Sequence, residues 1–376
     1  MKIIVLGGGL VGKHIAIDLA QDFEVCIADI NAKNLQKIAV NHSIATVQQD
    51  LSDGEELKKL LAGFDLVVNA VPGFMGFATL KNIIEAGKDV VEIAFSPEDV
   101  MALDELAKQH GVTAICDMGV APGMSNILVG YADHLLDSTA DVKIYVGGLP
   151  QKREWPFEYK APFSPIDVIE EYTRPARVVE HGEVVIKEAL SEVELLNFEP
   201  VGTLEAFNSD GLRSLVNTID APDMVEKTLR YPGHAELMKV FRATGFFSQE
   251  EIEIKGVKIK AIDFTAKLLF PKWKLEADEP EFTLMKIIVE GKKEGKNTRY
   301  TYDLFDKYDE KSQTHSMART TGYAATAAVR MFAKGLYQQK GVTVPEFIGK
   351  HSDCVQFMLK ELKERGIVYR EKIEFI

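Results

Sequence analysis

The first residues that could do chemistry are Gly7-Gly8-Gly9-Leu10-Val11-Gly12, whose glycines fall at the spacing G-x-G-x-x-G. They follow an apolar run, Ile3 to Leu6, and open a segment in which Val11, Ile15 and Leu19 recur at helical spacing. In that context the pattern is a seat for a dinucleotide pyrophosphate. Gly7 permits a tight turn, Gly9 lets the backbone approach the phosphates with no side chain in the way, and Gly12 lets helix and strand pack closely. The N–H groups and the dipole of the helix N-terminus then face the anion. Asp29 ends the next apolar run, where its carboxylate would accept hydrogen bonds from the adenosine ribose hydroxyls and repel a 2′-phosphate. Ile30 and Asn31 follow it and no Arg lies nearby, so NAD is expected rather than NADP. Asp50, beside Leu51 after the third apolar segment, is a candidate for the adenine edge, and an ordinary loop acid fits that position equally well.

Other segments end strands at the edge of a sheet where ligands of open α/β folds bind. Asn69-Ala70-Val71-Pro72-Gly73 is one, so Asn69, Ala70 and Pro72 should pass near the nicotinamide ribose. Glu92 and Ala94 end the next strand in the same way. Asp117, followed by Met118 and Gly119, would bring a carboxylate to the reacting end of the cofactor. A plain strand-end turn is the alternative for each.

These positions require a particular scaffold. Ile3–Leu6, Val25–Asp29, Leu66–Ala70, Val90–Ala94 and Val112–Cys116 read as buried strands separated by segments of helical period, such as Leu103, Leu106 and Ala107 after Ser96-Pro97-Glu98. Strand and helix in alternation demand a parallel, doubly wound α/β sheet. Beyond Pro122 the pattern changes to a helix over Met124–Leu136, a strand around Val142–Val146, and a stretch punctuated by Pro150, Pro156, Pro162 and Pro165. Two hairpins follow: Ala176–Glu180 with Glu183–Lys187 through His181-Gly182, and Leu284–Glu290 with Thr298–Leu304 through a charged turn, Gly291–Asn297. Ser316–Lys334 reads as a small-residue-rich helix and Asp353–Arg365 as an amphipathic one.

With 376 residues the chain has ample length for two or three domains. Lys and Arg total 44 against 57 Asp and Glu, a net charge of −13 spread along the chain, which argues against nucleic acid or an anionic membrane as partner. Hydrophobic residues at 46% and charged residues at 27% exclude a mostly disordered chain. Cys26, Cys116 and Cys354 fit neither a disulfide framework nor a zinc cluster, so a reducing cytoplasm is expected. The apolar start is too short for a signal-peptide core or a membrane span.

The later motifs carry a resemblance. Gly7 to Gly12, Asn69 to Pro72, Asp117 to Gly123, Tyr159-Lys160-Ala161-Pro162-Phe163-Ser164-Pro165, Asn208 to Arg213 and Thr228 to Gly233 occur in the order seen in the saccharopine dehydrogenase family. Within that family the chain is most similar to the short L-lysine 6-dehydrogenase branch. The resemblance implies a Rossmann dinucleotide-binding domain over residues 1–120 and an inserted mixed α/β domain over 121–315 carrying substrate and dimer contacts. A C-terminal helical segment, 316–376, would return to the Rossmann domain beginning with Ser316 to Tyr323. Two departures weigh against saccharopine itself. Saccharopine-handling members carry an aromatic-rich Trp-Ser-Pro variant where this chain has Ala161 to Pro165, and a Phe where this chain has His234.

Oxidising an amine requires the amine neutral, a cation for the substrate carboxylate and acids for a second ammonium. Arg174, Arg213 and Arg230 are candidates for the carboxylate, with Arg213 and Arg230 inside family-like motifs. Asp117 is the leading candidate to contact or deprotonate the reactive amine, with His181 and His234 as alternatives. His181 falls in a hairpin turn, where an exposed histidine is unremarkable. Tyr159 and Ser164 are placed to line the site as neutral partners, Trp155 and Trp273 are read as packing residues, and Cys116 as a small buried hydrophobe. No metal-site spacing is present, which leaves the redox chemistry to NAD. The expected reaction is oxidation of a primary amine on lysine to an imine that water hydrolyses, by a homodimer or higher homo-oligomer. Saccharopine or carboxynorspermidine dehydrogenase chemistry is the nearest rival, and a non-enzymatic dinucleotide sensor a more distant one.

Overall fold

The computed structural model of the chain describes residues 1–42 and 44–376. Two compact units result: Met1–Leu135 with Met317–Tyr369, and Leu136–Ser316 with Arg370–Ile376. The chain opens with β1 (Lys2–Leu6), α1 (Gly12–Leu19), β2 (Glu24–Asp29), α2 (Ala32–His42), β3 (Ala45–Gln48), α3 (Gly54–Leu61), β4 (Leu66–Asn69) and α4 (Gly73–Glu85). It continues with β5 (Asp89–Glu92), α5 (Asp104–Gln109), β6 (Thr113–Ile115) and α6 (Met124–Leu135). The second unit contributes β7 (Ser138–Pro150), α7 (Pro165–Thr173), β8 (Ala176–Glu180), β9 (Glu183–Lys187), β10 (Glu194–Phe198), β11 (Gly202–Asn208), α8 (Leu215–Thr218), β12 (Asp223–Arg230) and α9 (His234–Ala243). After them come β13 (Glu251–Ile254), β14 (Val257–Lys260), α10 (Ala261–Trp273), β15 (Glu281–Lys293) and β16 (Lys296–Lys307). The chain closes with α11 (Ser316–Ala333), β17 (Gly341–Thr343), α12 (Pro345–Gly349), α13 (Ser352–Glu364) and β18 (Tyr369–Phe375).

The first unit is an α/β Rossmann-type fold. Its seven strands are all parallel in the order β17-β6-β5-β4-β1-β2-β3, so the winding reverses at β1, which lies between β2 and β4. Ile3 to Leu6 and Leu66 to Val68 are fully buried, as expected of strands covered on both faces. Two strands go beyond the apolar runs. β3 is half exposed and so carries a weaker signal, and β17 is only three residues long yet completes the sheet beside β6.

The helices after residue 316 hold to this unit by charge as well as by packing. Arg330 donates to Asp18 Oδ2 at 2.7 Å and to Asp22 Oδ2 at 2.7 Å, while Arg365 donates to Asp18 at 2.8 Å and to Glu361 at 2.9 Å. Asp18 and Arg330 are both buried, so removing either would strand its partner's charge. Gly322 lets α11 lie close to α1, where an added Cβ would stand 3.3 Å from Ile15 Cγ1.

In the second unit a nine-stranded mixed sheet runs β10-β11-β12-β7-β15-β16-β18, with β8 and β9 attached through β12. Strands β12 and β7 pair in parallel, whereas β10 with β11, β11 with β12, β12 with β8, β8 with β9, β7 with β15 and β15 with β16 pair antiparallel. His181 and Gly182, both at positive φ, form the two-residue turn of the first hairpin. The second hairpin differs from expectation. Its turn is Glu294-Gly295, and Gly291 lies inside β15 at a register shift where an added Cβ would meet Ser138 O at 2.2 Å. The segment after 316, expected to be helical, also supplies β17 and the charged strand β18, which edges the second sheet. No helix among the described residues is long and apolar enough to cross a membrane.

Candidate functional site

In the first unit, the turn after β1 is shaped by its glycines. Gly7 has φ +102°, its N–H donates to Ala28 O at 2.8 Å, and an added Cβ would meet Ala70 O at 2.4 Å. A Cβ on Gly12 would lie 2.1 Å from Gly7 O, whereas one on Gly9 would touch nothing within 4 Å. Two glycines are therefore required by the protein's own packing. Gly9 is not, and it borders open space at the start of α1, as a seat for pyrophosphate requires. Leu10 is exposed and Val11 precedes α1 as its N-cap. The Asp29 carboxylate accepts from Gly8 N at 2.5 Å and from Asn31 N at 2.7 Å, which fixes it at the end of β2. Asp50 is an exposed loop acid that accepts from the Ser52 N–H and hydroxyl.

The strand ends of β4 to β6 make a buried shelf. Asn69 is fully buried with Nδ2 donating to Gly76 O at 3.3 Å, Ala70 N donates to Leu6 O at 2.9 Å, and Pro72 caps α4. Glu92 ties the shelf together: its carboxylate accepts from Ala94 N and from Asp117 N, and its carbonyl accepts from Met118 N. Asp117 is 3% exposed and held at φ +54°, a conformation Asp tolerates better than most residues. Gly119 N donates to Asp117 O and to Pro122 O, and an added Cβ on Gly123 would meet Gly119 O at 2.0 Å, so residues 117–123 form one tight loop. Met118 is buried, leaving its backbone rather than its side chain to meet a ligand.

In the second unit, Tyr159, Glu171, Tyr172, Arg230 and His234 converge. Arg230, 2% exposed, donates from Nε to the Tyr172 hydroxyl at 3.2 Å, from one terminal nitrogen to the Leu229 carbonyl at 2.9 Å, and from the other to the Tyr159 hydroxyl at 3.5 Å and the Glu171 carboxylate. Its guanidinium also stacks 4.4 Å from the Tyr159 ring centre. His234 Nδ1 lies 3.0 Å from Phe157 O, so that nitrogen carries the proton; Nε2 then accepts from the Tyr172 hydroxyl at 2.9 Å. Trp273 is fully buried and packs edge-on against Tyr159 and Tyr172. Burial pushes the Tyr159 and Tyr172 hydroxyls up, so both remain donors.

His234 is thereby removed as a base. Burial, with Arg230 nearby, pushes its imidazole down to about 3, so the ring is neutral at working pH. The unfolded chain takes up this proton near pH 6.5 and the folded one does not until about pH 3, so stability is lost as pH falls through that window. Thermal melts of wild type and His234→Gln should show it. The variant is less stable at neutral pH by about 1–3 kcal/mol, and the gap narrows on acidification; parallel curves would contradict this reading.

The remaining expected residues are placed elsewhere. His181 is exposed in its hairpin turn, where its N–H donates to Asp223. Ser164 and Arg174 flank α7 as its N-cap and C-cap, and Arg174 pairs with Glu170 at 3.4 Å. Arg213 is buried at φ +54° in the loop after β11. Trp155, read as a packing residue, is 88% exposed, because the loop after β7 carries it outside the aromatic cluster that encloses Trp273. Several carboxylates were missed. Glu205 caps α9 through Gly233 N and Ala235 N, and Glu226, buried against Gly211, accepts from Ser209 Oγ at 2.7 Å and is pushed up to about 8 by burial. Glu171 was missed too. Its signal is an acid set beside the apolar face Val168, Ile169 and Tyr172 at helical spacing.

Comparison with known proteins adds independent findings. Residues 3–115 match the family model described as the saccharopine dehydrogenase NADP binding domain, and residues 119–367 match the saccharopine dehydrogenase C-terminal domain. The mitochondrial alpha-aminoadipic semialdehyde synthase of Mus musculus is 24% identical over 265 residues, which is 66% of this chain and 29% of that protein. The chain thus spans under a third of that relative's length. Carboxyaminopropylagmatine dehydrogenase of Synechocystis sp. is 24% identical over 396 residues, covering 99% of this chain and 98% of that one. The apo saccharopine dehydrogenase (L-Glu forming) structure from Saccharomyces cerevisiae superposes with a TM-score of 0.80 at 20% identity, covering 99% of each chain.

Proposed function

Because the chain belongs to the saccharopine dehydrogenase family, we propose that it oxidises an amino-acid side-chain amine with a nicotinamide dinucleotide, and that the substrate is L-lysine, attacked at its ε carbon. The observation that carries the choice of lysine is the pairing of arginines with acids in the second unit. Arg230 is paired with Glu171 and Arg177 is held at both carboxylate oxygens of Asp210, at 2.8 and 3.0 Å. Saccharopine brings additional carboxylates that would need cations; lysine brings one carboxylate and a second ammonium. The alternative, oxidation of a secondary amine, is favoured by the full-length likeness to carboxyaminopropylagmatine dehydrogenase.

The residues of the first unit fit a dinucleotide: Gly7 to Gly12 cradle the pyrophosphate, Asp29 holds the adenosine ribose, and Asn69, Ala70, Pro72, Met118 and Gly119 border the nicotinamide end. The bound cofactor supplies the acceptor for the hydride. Asp117 takes the proton from the ε-ammonium, freeing the nitrogen lone pair that drives hydride departure from the ε carbon. Water then adds to the resulting iminium carbon, and ammonia and 2-aminoadipate semialdehyde leave. Homodimer formation is proposed through the second unit, where Val240, Ile252, Ile254, Val257, Phe264 and Leu268 are exposed.

The cofactor proposal is NAD, on the strength of Asp29, although the family model's description names NADP. The test of the whole reading is kcat/KM for L-lysine and saccharopine with NAD and NADP in parallel. Lysine with NAD should exceed every other pairing, and faster turnover of saccharopine would overturn the proposal. Asp29→Ala should raise KM for NAD roughly 10- to 100-fold, the range for losing a charged hydrogen-bond acceptor, and narrow the preference over NADP. A wild type that already prefers NADP would refute the role given to Asp29.

A further inference from the structure

Glu92 places a charge inside the first unit where the fold alone does not call for one. Strands β5 and β6 pair through Val90 with Ala114 and Val91 with Ile115. Beyond that register the Glu92 carboxylate joins the two strand ends, Oε1 accepting from Ala94 N and Oε2 from Asp117 N at 3.0 Å. On its other side Glu92 lies in register with Asn69 of β4, which is fully buried and whose Oδ1 accepts no hydrogen bond among the described residues. Glu92 itself is 1% exposed, and the loop after β6 adds the buried carboxyl of Asp117. A neutral side chain accepts from an N–H group without the cost of desolvating a charge, so joining two strand ends does not account for an acid here. Both Glu92 oxygens serve as acceptors, the arrangement of a carboxylate, and in this dry setting its charge is screened far less than at the surface.

We infer that Glu92 sets the oxidation-state preference of the dinucleotide seat: its negative charge, at the strand ends that border the nicotinamide, favours the oxidised ring, which is a cation, over the reduced ring, which is neutral. The inference rests on the proposed placement of the nicotinamide end beside Asn69 and the loop that begins at Asp117, and it uses residues of the first unit alone. For an enzyme that oxidises amines the consequence is directional. The seat takes up the oxidised dinucleotide and lets the reduced one go. Holding the cation tightly also leaves the bound ring a weaker hydride acceptor, so the gain lies in exchange of the cofactor and not in hydride transfer.

The experiment is calorimetric titration of the wild type, Glu92→Gln and Glu92→Asp with NAD and NADH, and in parallel with NADP and NADPH, since the ring is the same in both pairs. The wild type should bind the oxidised form more tightly than the reduced one. Glu92→Gln should move the ratio of the two dissociation constants toward the reduced form by roughly 10- to 100-fold, the range for one unit charge several ångströms away at the effective dielectric of a protein. Glu92→Asp keeps the charge but is too short to reach both N–H groups, so it should weaken both forms alike and leave the ratio within about 3-fold of the wild type. A purely structural role predicts the same loss for both forms in both variants, and a Glu92→Gln ratio within about 3-fold of the wild type overturns the inference. If neither variant folds, the wild type decides: reduced dinucleotide bound more than about tenfold tighter than oxidised contradicts the role given to Glu92, and the reverse order supports it. Binding with an unshifted ratio removes the inference and leaves the seat standing, whereas no binding of either pair removes the seat and the inference with it.

Discussion

Asp117→Asn should lower kcat by about two to four orders of magnitude, the usual contribution of a positioned general base, with dinucleotide affinity and fold unchanged. The substitution isolates proton transfer. Asn has the same shape and also tolerates the left-handed backbone that Asp117 adopts at φ +54°. The main-chain bonds that hold the position come from the neighbours: Glu92 receives the N–H of residue 117 and of residue 118, and Gly119 returns a bond to the carbonyl of 117. Asn keeps these main-chain bonds and removes the basic oxygen, so the loss should appear in kcat and kcat/KM together. Stopped-flow turnover beside dinucleotide titration checks it. A variant within about threefold of wild type would move the proton to another group or to water.

Gly9→Val and Gly12→Ala should fail in opposite ways. An added Cβ at Gly9 meets no protein atom within 4 Å, so the variant should melt with the wild type. It fills the space expected for the pyrophosphate, and the dinucleotide dissociation constant should rise about 100-fold or more as charge-assisted contacts to the backbone are lost. At Gly12 the new Cβ would stand 2.1 Å from Gly7 O, a backbone atom that cannot step aside, so stability falls by about 1–3 kcal/mol or more. Equal melting temperatures for the two variants would contradict the packing role of Gly12, and intact binding by Gly9→Val would show that the turn is not a phosphate seat.

Residue pattern reveals the first unit better than the second for a physical reason. Strands buried on both faces have to be apolar throughout, as Ile3 to Leu6 are, and a phosphate seat needs glycines at fixed spacing; both constraints are local. The His181-Gly182 turn was legible on the same grounds, because a two-residue hairpin turn needs positive φ at both positions. Gly291 misled because a glycine that admits a neighbouring strand looks like one that makes a turn. The cluster in the second unit joins residues 159, 171, 172, 230 and 234, with Arg230 bonded to Tyr159 across 71 residues, and no local rule brings them together. Arg230 stood out because an arginine suits a substrate carboxylate, yet its donors are committed inside the protein. Glu171 was passed over because an acid on a helix resembles an ordinary solvent-facing residue.

The central claim is that a primary amine is oxidised, and the ratio of ammonia released to NADH formed tests it most directly. With L-lysine and NAD, across roughly pH 7 to 10 where the neutral amine becomes more available, one ammonia should appear for each NADH. NADH formed from a secondary amine with release of an amino acid and no ammonia, while lysine yields neither product, would contradict the account.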